Sequence, residues 1–242
     1  MTTLVVGASG ATGRLLVEQL LAQGEKVKII VRSIEALPDV ITQNDQLMIT
    51  ESNLLDMTEA ELKEHVTGCR AVVSCLGHNL NFKGMFGHPR RLVTGAVQRL
   101  CQAIEATAPN STNTPVKFIL MNTTGNQNTQ AGEKVSTAQG IVVGLIRLLL
   151  PPHADNEDAA GYLQSRFGLH HKMIEWVAVR PDSLIDEDNV TEYEAHESPI
   201  RSAIFDSGKT SRINVAHFMS QLVIDTGTWH KWKTQMPVIY NH

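Results

Sequence analysis

Leu4-Val5-Val6-Gly7-Ala8-Ser9-Gly10-Ala11-Thr12-Gly13 is the stretch that decides the architecture. A short β-branched run ends at Gly7, the first of three glycines spaced by three, and residues 15–21 then repeat apolar side chains at helical spacing. Strand, glycine turn and helix in that order assign each glycine a task. Gly7 permits a tight turn, Gly10 lets backbone approach a ligand, and Gly13 packs helix against strand. The helix opening there presents unpaired N–H groups and the positive end of its dipole, which suit a diphosphate.

Outward from this turn, Gly24 stops the helix and Val27-Lys28-Ile29-Ile30-Val31 reads as the second strand of a βαβ unit. The alternation continues with a short strand at 47–49, a helix at 58–66 and a strand at 71–76. A long helix opens at Pro89, in which Leu92, Val93, Ala96, Val97, Leu100, Cys101 and Ile104 form one apolar stripe. Strands follow at 116–121 and 176–179, then a helix at 214–224 and a last strand at 237–240. Nearly continuous apolar strands alternating with helices predict a Rossmann-type doubly wound parallel α/β sheet, in a single domain over 1–242. Residues 125–168 read as a helical and loop insertion before the sixth strand, lining the substrate pocket. That insertion holds an apolar helix at 141–150 and a second helix that Asp155 caps.

The 242 residues are 42% hydrophobic and 19% charged, which excludes disorder and coiled coil. A net charge of −4 without any Lys/Arg run excludes nucleic acid as a partner. The longest apolar run, 141–150, is about half the ~20 residues of a membrane span, so no membrane association is expected. It is either a dimer contact or a pocket wall, so the chain is expected to be a monomer or a homodimer. No export signal follows Met1, and Cys69, Cys75 and Cys101 form no C-x-x-C, so reduced thiols and a cytoplasmic location are expected. Ten histidines include no H-E-x-x-H spacing, and no metal site is expected.

The end of the second strand chooses the nucleotide. An acidic side chain there would bond a ribose 2′-OH, whereas this chain has Arg32 and then Ser33. A guanidinium matches a 2′-phosphate with bidentate bonds, so NADP(H) is favoured; Glu35 nearby keeps NAD(H) open.

The pattern GASGATG at 7–13, the pair Val31-Arg32, Val72-Val73-Ser74-Cys75-Leu76-Gly77 and Val177-Ala178-Val179-Arg180-Pro181 together resemble the atypical short-chain dehydrogenase/reductases. Within them the likeness is greatest to the NmrA-like and flavin reductase/biliverdin-IXβ reductase-like NAD(P)H-binding proteins. The resemblance implies that Gly7, Ser9, Gly10, Ala11, Thr12 and Gly13 hold the pyrophosphate and that Arg32 and Ser33 hold the 2′-phosphate. It puts Asn53 and Leu54 beside the adenine, Asn53 standing where the family usually has Asp. Leu76 and Gly77 fall under the nicotinamide ribose, and Asn122 and Pro181 complete the cofactor set. In Asn122-Thr123-Thr124 it implies a hydroxyl facing nicotinamide and substrate, Thr123 first and Thr124 second.

The Tyr-x-x-x-Lys pair of many such enzymes is missing, and Tyr162, with Arg166 four residues on, is the remaining candidate proton donor. The loop after the fourth strand carries Phe82, Lys83 and Phe86, which suit an anionic planar acceptor as well as they suit a pinned surface loop. Asp182 and Ser183 are expected to border the pocket. The expected activity is an NADPH-dependent oxidoreductase acting on a small conjugated acceptor, a flavin, quinone or carbonyl compound. The alternative is a regulatory protein of the NmrA-like type that senses NADP(H) without turnover. A nucleotide-sugar epimerase or dehydratase ranks last, because it needs an acid and a base beside the cofactor and a longer substrate domain.

Overall fold

The computed structural model of the chain describes residues 1–78, 87–107, 114–128, 131–133, 151–202 and 205–242. The expected helix at 141–150 and the side chains of Phe82, Lys83 and Phe86 lie outside the described residues. β1 (Thr2–Val6), α1 (Ala11–Ala22) and β2 (Lys26–Val31) form the βαβ unit, with Leu4 level with Lys28 in a parallel pair. After the short helix α2 (Asp39–Thr42) come β3 (Leu47–Glu51), α3 (Glu59–Val66), β4 (Cys69–Ser74), α4 (Leu92–Glu105) and β5 (Val116–Met121). Then follow α5 (Pro151–Phe167), β6 (Ile174–Pro181), β7 (Ser183–Ile185), β8 (Tyr193–His196) and β9 (Lys209–Ser211). α6 (Arg212–Ile224), α7 (Thr226–Trp232) and β10 (Val238–Asn241) close the described chain.

Eight strands form one sheet in the order β3-β2-β1-β4-β5-β6-β10-β8, and β7 pairs with β9 in a separate ribbon. All neighbours in the large sheet run parallel except β8, which lies antiparallel on β10 at the edge. The strand order reverses between β1 and β4, and that switch point opens a crevice at the carboxyl ends of both strands.

The apolar strands are double-sided. Leu4, Val6, Val72, Phe118, Leu120, Trp176 and Ala178 pack under α3, α4 and α5. Val5, Val73, Ile119, Val177 and Val179 alternate with them and pack under α1, α6 and α7. Each fully buried Leu, Val or Phe contributes about 1.5–3 kcal/mol, so these two layers hold the sheet that carries the crevice.

The short helix α2 and the strands β7, β8 and β9 were not expected, and three further elements depart from the sequence reading. α4 starts at Leu92 rather than Pro89, and the stripe of Val93, Ala96, Val97, Leu100, Cys101 and Ile104 is fully buried as expected. α7 was not expected; Asp225 caps it through the Thr228 N–H at 2.6 Å, and Trp229 and Trp232 bury its inner side. Asp155 does not cap its own helix, because α5 is already helical at Pro151 and Asp155 lies in its second turn. Among the described residues no helix is long and apolar enough to cross a membrane.

Candidate functional site

Gly7 adopts φ +76°, a left-handed conformation that admits few side chains. A Cβ there would stand 2.6 Å from the carbonyl carbon of Cys75, and one on Gly13 would stand 2.1 Å from the Gly7 carbonyl oxygen. Both glycines are therefore required by contact between backbones, as the sequence spacing implies. The Gly10 N–H donates to the Gly7 carbonyl at 3.0 Å and closes the turn. Among the described residues no side chain caps α1, and no acidic residue occupies its first turn, so the amides there suit an anion.

A cleft of about 300 Å³ runs from this turn across the switch point, lined by Gly7, Ser9, Gly10, Arg32, Asn53, Leu54, Leu76 and Gly77 among others. Eight of the residues expected to hold cofactor thus share one cavity. Arg32 is exposed at its rim and makes no hydrogen bond or ion pair with any described residue. Ser33 precedes a short 3-10 turn at 34–36 without capping it. Asn53 donates from its side chain to Asp56 at 2.7 Å, which fixes the orientation of the amide in the cleft wall. Cys75 also lines the cleft, but burial pushes its thiol up to about 12, so it remains protonated and is no nucleophile. Ala11 is exposed at the mouth of α1, whereas the Thr12 side chain is buried.

Beyond Gly77 the cleft meets a polar cluster where β4, β5 and the start of α5 converge. His78 Nε2 lies 2.7 Å from Asp155 Oδ2, with the two side chains 4% and 0% exposed. The same carboxylate accepts the N–H groups of Val93 at 2.7 Å and Thr94 at 3.0 Å, so it caps α4 from another helix. α4 has no side-chain cap of its own. Asn122, at the end of β5, donates to the Asn156 carbonyl at 2.9 Å, and its side-chain oxygen accepts from the Thr123 N–H and from Asn126. Thr123 is half-buried, and its hydroxyl accepts the Gly125 N–H at 3.3 Å.

A family model described as NAD(P)H-binding matches residues 7–226. The chain belongs to the NAD(P)H-binding family. No curated protein matches it in sequence. Among solved structures it is similar to the oxidoreductase ylbE from Lactococcus lactis at TM-score 0.68 and 16% identity, over 100% of this chain and 91% of that one. A short-chain dehydrogenase/reductase from Veillonella parvula in complex with NADP matches at TM-score 0.66 and 14% identity, over 99% and 94%. ChuY, an anaerobilin reductase from Escherichia coli O157:H7, matches at TM-score 0.65 and 14% identity, over 100% and 97%. At these identities the likeness concerns the Rossmann-like fold.

Within this NAD(P)H-binding fold the remaining candidates separate. Thr124 is buried and spent on the scaffold: its hydroxyl donates to Asp182 at 3.3 Å and its N–H to the Pro181 carbonyl at 3.1 Å. Asp182 also accepts the N–H groups of Ser183 and Gly208, and burial raises its carboxyl above the usual range. It is a structural hub; Ser183, beside it, is exposed. Tyr162 lies about two turns further along α5 than Asp155, roughly 10 Å at 1.5 Å per residue. Its ring meets Phe167 edge-on at 5.8 Å, and burial raises its phenol above the ordinary value. The structure does not bring Tyr162 to the cleft, because α5 runs away from the carboxyl edge of the sheet.

Arg180 shows why the Arg180-Pro181 pair matters. Its guanidinium is fully buried, binds Glu133 at 2.6 and 2.9 Å, and donates to the carbonyls of Met236 and Asn126. It ties the loop after β5 to the end of β6. Sequence reasoning missed His78–Asp155 and Arg180–Glu133, whose partners lie 77 and 47 residues apart and leave no local signal.

Proposed function

We propose that the chain is an NADPH-dependent reductase of a small conjugated or carbonyl acceptor. The observation that carries this reading is Arg32, exposed and without a partner among the described residues, in the same cleft as the glycine turn. A turn whose first and third glycines admit no Cβ, an uncapped helix start and a guanidinium at the second strand without a partner among the described residues fit a dinucleotide bearing a 2′-phosphate. When bound, that group supplies a hydride. Ser9, Gly10 and the first amides of α1 hold its diphosphate, Arg32 and Ser33 its 2′-phosphate, and Leu76 and Gly77 form the wall at its reactive end. Thr123, whose N–H donates to the Asn122 side chain, offers a hydroxyl to the acceptor.

The test pairs binding with turnover. Arg32→Glu is expected to weaken NADPH binding by about ten- to a hundredfold, the loss of roughly 1.5–3 kcal/mol of charge-assisted bonding, while NADH binding changes little. Equal losses for the two dinucleotides would remove Arg32 from the argument. Oxidation of NADPH against flavins, quinones and aldehydes then decides activity. The remoteness of Tyr162 favours one other reading, an NADP(H)-sensing regulator; tight NADPH binding with no acceptor reduced would select it.

A further inference from the structure

We propose that Asp155 and His78 are a positioning pair that sets the cleft walls at the reactive end of the dinucleotide, and so orients its nicotinamide half while leaving its adenosine half untouched; this rests on the NADPH reading above. Two segments that line the cleft converge on one atom. Leu76 and Gly77 leave β4, and Pro89 and Leu92 lead into α4. Asp155 Oδ2 accepts from His78 Nε2 and from the Val93 N–H, each at 2.7 Å. The residue after Gly77 and the residue after Leu92 are thus pinned to the same oxygen. Oδ1 takes the Thr94 N–H at 3.0 Å, and the Asp155 carbonyl takes the Thr94 hydroxyl at 2.9 Å.

Both walls lean on this carboxylate. Cys75 is still held by the sheet, its N–H donating to the Val6 carbonyl at 2.9 Å, but among the described residues Leu76 and Gly77 make no backbone hydrogen bond. A Cβ on Gly77 would meet nothing within 4 Å, so the cleft stands open there. α4, for its part, receives no cap from Arg91, its own N-cap residue. Asp155 is a firm anchor, because the Asn122 and Asn126 side chains donate to the carbonyl of the next residue, Asn156, at 2.9 and 3.4 Å. A buried carboxylate that lost one of its donors would be left undercompensated, which holds the three N–H groups in place. The glycine turn is built differently: backbone contacts among Gly7, Gly10, Gly13 and Cys75 shape it, and none of them reaches Asp155.

The pair therefore acts through backbone rather than by contact, since neither side chain is part of the cleft wall. Hydride transfer depends on how the nicotinamide ring is held, and that ring is the half of the dinucleotide these walls would meet. Adenosine 2′,5′-bisphosphate lacks the ring. It carries the adenine, the 2′-phosphate and one phosphate of the diphosphate, and so reports on Arg32 and the glycine turn alone. Glutamine places its Nε2 the same number of bonds from Cα as histidine does, so H78Q keeps a donor for Asp155 and H78L removes it.

The experiment uses the full chain as wild type, H78L, H78Q and D155N, with NADPH binding followed by fluorescence and adenosine 2′,5′-bisphosphate binding by calorimetry. H78L and D155N are expected to bind NADPH about tenfold more weakly, the order of one lost charge-assisted hydrogen bond. Both should also lose most of the rise in nicotinamide fluorescence lifetime that the wild type shows on binding. Their affinity for the bisphosphate should stay within about twofold of the wild type, as for distant, independent sites, and this binding shows that they are folded. H78Q should bind NADPH within about threefold of the wild type, because the donor to Asp155 is retained. Unchanged NADPH affinity in both H78L and D155N would overturn the proposal, as would equal losses for NADPH and the bisphosphate. An H78Q as weak as H78L removes the bond to Asp155 from the argument. A wild type that binds the two ligands equally well overturns the positioning role while leaving the dinucleotide reading intact. One that binds neither overturns both.

Discussion

From Gly7 to Arg32 the cleft is made by one continuous βαβ unit, whereas at its other end His78, Thr123 and Asp155 arrive on three separate segments. The first end is held by backbone: a carbonyl against Gly13, a reversed φ at Gly7, a turn closed by one N–H. Buried side chains hold the second, where one carboxylate joins β4, α4 and α5. The two constructions differ in what a substitution does. A change in the glycine turn acts locally and on the diphosphate, while a change at Asp155 loosens three elements together.

The largest expected effect probes the glycine end. Gly13→Ala forces a methyl onto the Gly7 carbonyl, and overpacking of this kind costs about 1–3 kcal/mol in stability. Because the turn must open to accept the methyl, NADPH binding measured by fluorescence titration is expected to fall below detection while the fold survives in circular dichroism. A variant that binds normally would mean that the close approach at Gly13 is not what shapes the turn.

At the other end, Asp155→Ala leaves His78 and two helix amides without their buried partner. Breaking such a pair costs roughly 3–5 kcal/mol, a fall in Tm of about ten degrees for a chain of this size. Calorimetry checks the fall, and NADPH affinity should change less than it does in Gly13→Ala. A variant with native Tm would show that α4 does not depend on this cap, and the contrast between the two ends would vanish.

The smallest effect serves as a control remote from both. Lys117 donates to the carbonyls of Leu222 and Val223 at the end of α6, and burial, with Arg70 nearby, lowers its ammonium to about 8 from the usual 10.5. Between those values the unfolded chain binds more protons than the folded one, so this group makes stability rise with pH from about 8 to 10.5. That gain is lost as pH falls through 8. Tm followed over this range is expected to climb less in Lys117→Met than in the wild type, with NADPH binding untouched in both.

Much of the first end was legible because its determinants are neighbours in the chain. The spacing of Gly7, Gly10 and Gly13, the helix behind them and Arg32 at the next strand end are local patterns with few alternative readings. The helix at 58–66 was likewise legible, and the structure shows its local start signal: Thr58 accepts the Glu61 N–H while Glu61 caps back. Asp155 misled. An acidic residue before a helical stretch reads as a cap, and it is one, but for α4, whose register no local pattern reveals.

The sequence by itself determined the alternation of strand and helix, the glycine turn and the cation beside it, because hydrophobic period and backbone sterics act over a few residues. Tertiary structure alone decided that Tyr162 points away from the cleft, that Arg180 is tied to Glu133, and that His153 and Thr123 meet at Gly125. Those outcomes depend on how α5 lies against α4 and β6. Packing of the whole sheet sets that placement, and no stretch of chain encodes it alone.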